Sequence, residues 1–177
     1  MIKVLFQAAR IKNVAIGLVC TLVTFFKVPN DNSLNFLLGA SIVFLLMIAS
    51  NLVNDIYDIK SDKINNPNRP LVKFPKLKLP FQVFSLLSFV LSLFLSVFIS
   101  NIIFLIVFFS IPVLFLYTPF LKGVPLIGNI MVSFYLAFVF VFIEICVSGN
   151  ASIMILPAGF AFGISLIREV IKDAEDY

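Results

Sequence analysis

Three aspartates fall within eight residues where a long apolar run ends. Asp55, Asp58 and Asp62 lie in NLVNDIYDIKSDKINNPNRPL, residues 51–71, with Asn54 beside the first. At about 100° per residue on a helix, setting Asn54 at zero puts Asp58 near 40°, Asp62 near 80° and Asp55 near 100°. A helix continuing past Ile59 therefore predicts one face carrying all four groups. Glu169, Asp173, Glu175 and Asp176 form a second acidic set. Counted from Glu169, Asp173 lies near 40° and Asp176 near −20°, while Glu175 points elsewhere. Carboxylates this close repel one another, and at a membrane edge water screens them poorly, so a cation is expected. Hard oxygen donors suit Mg²⁺, which takes a few carboxylates and fills its shell with phosphate and water. Such a site holds a diphosphate, and Arg69, Lys122, Arg168 and Lys172 are the nearby cations that take the remaining phosphate charge.

A plainer reading exists for each set. REVIKDAEDY is also what an ordinary solvated helix end looks like. Asn54 and Asp55 are harder to explain that way, because they follow directly on FLLMIASNLV, a costly place for a merely solubilising charge. The lysines of KFPKLK, Lys73, Lys76 and Lys78, read as a lipid-headgroup anchor.

These groups must be held by membrane helices. Of 177 residues, 61% are hydrophobic, 22 are phenylalanine, and the mean hydropathy is +1.11. Several runs approach or exceed the ~20 apolar residues that cross a bilayer, and they are apolar on every face, which excludes a β-barrel. The expected fold is all-α: a polytopic transmembrane bundle of six helices over residues 14–26, 34–59, 81–99, 102–117, 126–147 and 151–171. A tight turn at Ser100–Asn101 joins the third and fourth. Pro112 and Pro157 fall inside spans and predict kinks or freed carbonyls. Placing the N-terminus in the cytoplasm puts every basic residue except Lys27 on the inner side. Both acidic sets then face the cytoplasm at the cell membrane. The net charge of +4 reads as topology and contact with anionic membrane lipids, and nothing resembles a nucleic-acid module. The absence of histidine removes imidazole chemistry. Cys20 and Cys146, isolated in apolar runs, read as packing residues. The opening MIKVLFQAARIKN lacks the apolar core and cleavage site of a signal peptide.

NDIYDIKSDKINNPNRPL resembles the first aspartate-rich motif of the UbiA superfamily of intramembrane prenyltransferases. REVIKDAEDY is similar to the start of the second motif. YTPFLKGVPLIGNIMVS is similar to the segment between the fourth and fifth helices, and ARIKNVAIG to the arginine–asparagine stretch before the first. The likeness runs along the whole chain in order. The KDAED form and PLIGN resemble most the branch that transfers geranylgeranyl groups to geranylgeranylglyceryl phosphate. The resemblance implies a helical bundle around a lipid-open chamber, in which Mg²⁺ bridges both motifs to an allylic prenyl diphosphate donor. Ionisation of the donor lets a lipid or aromatic acceptor capture the prenyl group. It implies Asp55, Asp58, Asp62 and Lys122 as catalytic residues. Asn54, Asp58, Asp62, Asp173 and Asp176 would be metal ligands, and Asn54, Arg69, Lys122, Arg168 and Lys172 would bind the diphosphate.

Family members usually have nine spans, and the second motif usually continues to a glycine and another aspartate. Residues 1–177 are therefore expected to be one transmembrane prenyltransferase domain in N-terminal part. Two other functions stay open: a shortened relative that binds prenyl diphosphate or a partner subunit without turnover, and a small transporter using Glu144.

Overall fold

A computed structural model describes residues 7–29, 32–121, 124 and 126–175. The described residues form helices and connections, without strands. α1 covers Ile11–Lys27, α2 Ser33–Tyr57, α3 Ile59–Asn65, α4 Pro70–Lys73, α5 Lys78–Val97, α6 Asn101–Leu116, α7 Ile127–Ser148 and α8 Ile155–Glu175. A 3₁₀ turn at Pro75–Leu77 leads into α5, and a π-turn at Tyr117–Leu121 ends α6.

All six expected helices are present. Four segments are long and apolar enough to cross a membrane: Ser33–Tyr57, Pro75–Val97, Asn101–Phe120 and Ile127–Ser148. The other two fall short on these measures. α1 has 17 residues, a rise of about 25 Å against a ~30 Å hydrocarbon core. α8 has 21 residues, but its last two turns carry Arg168, Glu169, Lys172 and Asp173.

Local chemistry explains most boundaries. The Asn32 side chain accepts a hydrogen bond from Asn35 N at 3.0 Å and starts α2. Ser100 Oγ accepts from Ile103 N at 3.2 Å and starts α6, giving the expected turn. Gly149 closes α7 in the left-handed region, at φ 75°. Pro157 does not kink a span. It sits in the first turn of α8, where a backbone N–H has no intrahelical partner to lose. The second expected span is also divided: the helix is interrupted at Asp58 (φ −79°, ψ −2°), and α3 begins at the next residue.

α5 packs most extensively on α2, through a buried stripe that includes Ser85, Ser88, Ser92 and Ser96. Each hydroxyl donates to a carbonyl of its own helix, so the stripe is small and internally satisfied. α7 packs against α8, α1 and α2. Its buried Ile143 and Cys146 meet Ile42, Val43 and Val107 in the larger apolar core. Cys20 and Cys146 are free thiols packed in helices.

Two glycines mark close helix approaches of different stiffness. A Cβ on Gly39 would lie 3.0 Å from Cys146 Sγ and 3.1 Å from Ile143 Cδ1, both part of the packed α7 face. A Cβ on Gly17 would meet only Sδ and Cε of Met47, the movable end of a flexible chain. Gly39→Val is expected to destabilise the bundle by about 2 kcal/mol or more through overpacking. Gly17→Ala is expected to fall within about 1 kcal/mol of wild type, its gain in helix propensity offsetting the shift of Met47. Unfolding midpoints in detergent check the contrast, and equal effects would mean that Gly39 is not tightly packed.

Candidate active site

The C-terminal end of α2 splits its polar side chains between two faces. Asn54 and Asp58, four residues apart, line a cavity of about 1030 Å³. Asp62 on α3, beyond the interruption at Asp58, lines the same cavity. Asp55 does not line it. Its side chain is 1% exposed and points behind the wall, with Oδ1 3.6 Å from Arg10 Nη2 and 3.7 Å from Arg69 Nη1. Arg69 Nε also lies 3.9 Å from Asp62 Oδ1, so Arg69 spans both aspartates. The expectation of one shared face therefore holds for Asn54, Asp58 and Asp62 and not for Asp55. The 100° between neighbouring residues carries Asp55 out of the wall, whereas Asp62 lies beyond the break at Asp58.

α8 brings the second acidic set to the same place. Arg168, Glu169, Lys172 and Asp173 all line the cavity opposite α2 and α3. Lys172 Nζ donates to Glu169 Oε2 at 3.3 Å. Asn129 Nδ2, from the start of α7, donates to Asp173 Oδ2 at 2.9 Å and orients that carboxylate. Two acidic groups more than a hundred residues apart thus share one chamber, with Arg10, Arg69, Arg168 and Lys172 on its walls. Lys122 and Asp176 lie outside the described residues.

Below the charged rim the walls become apolar. On α2 the lining runs from Asn54 to Val43, from Tyr117 at the π-turn down α6 to Ile106, and on α7 from Met131 to Phe142. Each stretch covers twelve residues, so its ends lie about 16 Å apart along the helix. Phe138, Val139 and Phe142 are among the residues that line the cavity on α7. A slot that is polar at the mouth and greasy below suits an amphiphile with an anionic head.

Several functional side chains carry no signal in their spacing. Arg10 reads as part of an amphipathic lead-in, and only Asp55 reveals what it faces. Thr118 Oγ1 donates to Asn54 Oδ1 at 3.4 Å from the π-turn. Asn51 Nδ2 donates to Ala9 O at 2.8 Å, tying α2 to the turn before α1. A weak clue to Asn51 was its place one turn before Asn54. Glu144 lies away from the cavity. Its side chain accepts hydrogen bonds from the backbone N–H groups of Ser152, Ile153 and Met154, so it serves the start of α8.

The pattern of the UbiA prenyltransferase family matches residues 15–177. The chain belongs to the UbiA prenyltransferase family. Among UbiA relatives, the digeranylgeranylglyceryl phosphate synthase of Methanospirillum hungatei is 35% identical over 137 residues, 76% of this chain and 49% of that relative. The enzyme of the same description from Methanococcus aeolicus is 35% identical over 180 residues, 99% of this chain and 63% of that relative. A solved structure described as giving insight into digeranylgeranylglyceryl phosphate synthase in membranes superposes with a TM-score of 0.78 at 30% identity. It covers 99% of this chain and 63% of that one. The chain thus spans about half to two thirds of the length of these UbiA relatives. The four apolar helices and the family together make it an integral membrane protein.

Proposed function

We propose that this chain carries the donor site of an Mg²⁺-dependent prenyltransferase. The reaction moves a geranylgeranyl-type group from an allylic diphosphate to a lipid acceptor at the cytoplasmic face of the cell membrane. The observation that carries the reading is the single cavity lined by Asn54, Asp58, Asp62 and Asp173, with arginines and a lysine between them. Relatives named digeranylgeranylglyceryl phosphate synthase support the geranylgeranyl donor and the glyceryl-lipid acceptor. The distribution of basic residues supports the cytoplasmic orientation.

The donor set fits Mg²⁺ and not a self-contained metal cage. Among the described residues, no three acidic or thiol side chains cluster closely enough to hold an ion alone. Mg²⁺ prefers one or two carboxylates with substrate phosphate and water, which is what facing pairs across a cavity provide. Asn54, Asp58, Asp62 and Asp173 would hold it, and Asp176 is proposed as a further ligand. When bound, the ion neutralises charge that builds on the departing diphosphate.

The protein's own groups do the rest. Arg10, Arg69, Arg168 and Lys172 bind the phosphate oxygens and orient the leaving group, with Lys122 proposed beside them. The apolar walls of α2, α6 and α7 take up the isoprenoid, place its allylic carbon under the rim and keep water from it. The C–O bond then breaks with its electron pair leaving on the diphosphate, and an acceptor oxygen or carbon bonds to the allylic carbon and loses a proton.

The test is direct. The purified chain in lipid vesicles receives radiolabelled geranylgeranyl diphosphate, Mg²⁺ and geranylgeranylglyceryl phosphate. Labelled diether product that disappears with EDTA is expected. Donor binding without product would favour the non-catalytic reading, and no donor binding at any Mg²⁺ concentration would sink both.

A further inference from the structure

We propose that Asp55 is a positioning residue that holds Arg10 and Arg69 against the diphosphate, and that it binds neither metal nor substrate. This rests on the prenyl-diphosphate reading of the cavity. Asn54 and Asp58 occupy one face of the α2 end and line the cavity. Asn51 and Asp55, also four residues apart, occupy another and hold the chain before α1. Asp55 is buried, and neither of its oxygens accepts a hydrogen bond among the described residues. The two guanidinium groups at 3.6 and 3.7 Å are therefore what compensates its charge.

The backbone agrees. Arg10 sits in the left-handed region at φ 50° and ψ 54°, a conformation that a side-chain-bearing residue keeps only when its surroundings impose it. The Asn51 bond to Ala9 O and the Asp55 pair are two such constraints, one on the preceding residue's carbonyl and one on Arg10's own side chain. On the other side, Arg69 lies in the connection between α3 and α4, with no helix of its own to fix it. Its contacts with Asp55 and Asp62 place its guanidinium at the rim. One buried carboxylate thus links two segments some sixty residues apart and presents both cations to the same cavity.

The test uses the chain in detergent with a non-ionising geranylgeranyl thiodiphosphate as probe. Asp55→Asn is expected to weaken probe binding about tenfold while the Mg²⁺ concentration for half-saturation stays within about twofold of wild type. Arg10→Gln/Arg69→Gln should weaken binding at least as much, and adding Asp55→Asn to that pair should cost no further affinity. A Mg²⁺ requirement raised as far as in Asp58→Asn would make Asp55 a metal ligand and overturn the proposal. If the wild-type chain binds no probe, the reading of the cavity fails by itself. A stability measurement then still decides whether Asp55 pairs the arginines. Arg10→Gln/Arg69→Gln should lower the thermal midpoint by stranding a buried charge, and Asp55→Asn on that background should raise it again. A further fall would overturn the pairing.

Discussion

Asp58→Asn is expected to lower prenyl transfer about 100-fold or more. The substitution keeps the size and shape of the side chain and removes one negative charge from the cavity wall. Asp58 lies partly exposed where α2 turns into α3, so the fold should tolerate the amide. Its backbone N–H still donates to Asn54 O at 2.9 Å, and its carbonyl still accepts from Asp62 N at 2.8 Å. On the proposed function, what is lost is charge where the leaving diphosphate must be neutralised, and loss of one stabilising group at such a centre costs about 100- to 1000-fold. The defect should be partly relieved by raised Mg²⁺, because the site would then be filled less readily. Turnover across an Mg²⁺ series with labelled donor checks this. Full turnover at the wild-type Mg²⁺ optimum would remove Asp58 from the chemistry, and the two-sided acidic site with it.

Glu144→Ala should have the largest effect on stability. Glu144 is 1% exposed, near the end of α7, and points at the loop before α8. Its Oε1 accepts from Ile153 N at 2.7 Å and Ser152 N at 3.1 Å, and its Oε2 from Met154 N at 2.9 Å. These donors lead into the N-terminus of α8, where the helix dipole also favours a negative group. Alanine would leave them without acceptors in a partly buried place, at a cost of about 3 kcal/mol or more. For a chain of this size that is a fall of roughly 6–12 °C in Tm. Glu144→Gln keeps an acceptor oxygen and should cost about half as much. The consequence reaches the candidate active site, because the other end of α8 carries Arg168, Lys172 and Asp173. Donor affinity should therefore fall near the lowered midpoint and recover on cooling. An unchanged midpoint would mean that water replaces the carboxylate at no cost. The same geometry weakens a transport role for Glu144, whose two oxygens are already committed to backbone N–H groups.

Much of this architecture was legible in the residues alone. Long apolar runs dictate membrane helices because backbone polar groups in a hydrocarbon layer must satisfy one another. The acids at the end of α2 were conspicuous because charge beside FLLMIASNLV is expensive. The motif around Asn54, Asp58 and Asp62 was enough to expect a diphosphate site. Periodicity is a local property, however, and it grouped Asp55 with Asp62: the angular count did not contain the break at Asp58, which lies between them, or the arginines behind the wall. Pro157 was read as a kink because its position in the first turn depends on where α8 begins, and Glu144 sets that start from another helix. What residues 1–177 determined by themselves was the class of fold and the expectation of a metal-assisted phosphate site, since both follow from residue type and short spacing. Which carboxylates face the cavity, which one holds the arginines and which one starts α8 was decided only by tertiary structure, because the partner of a buried charge is chosen by elements far away in the chain.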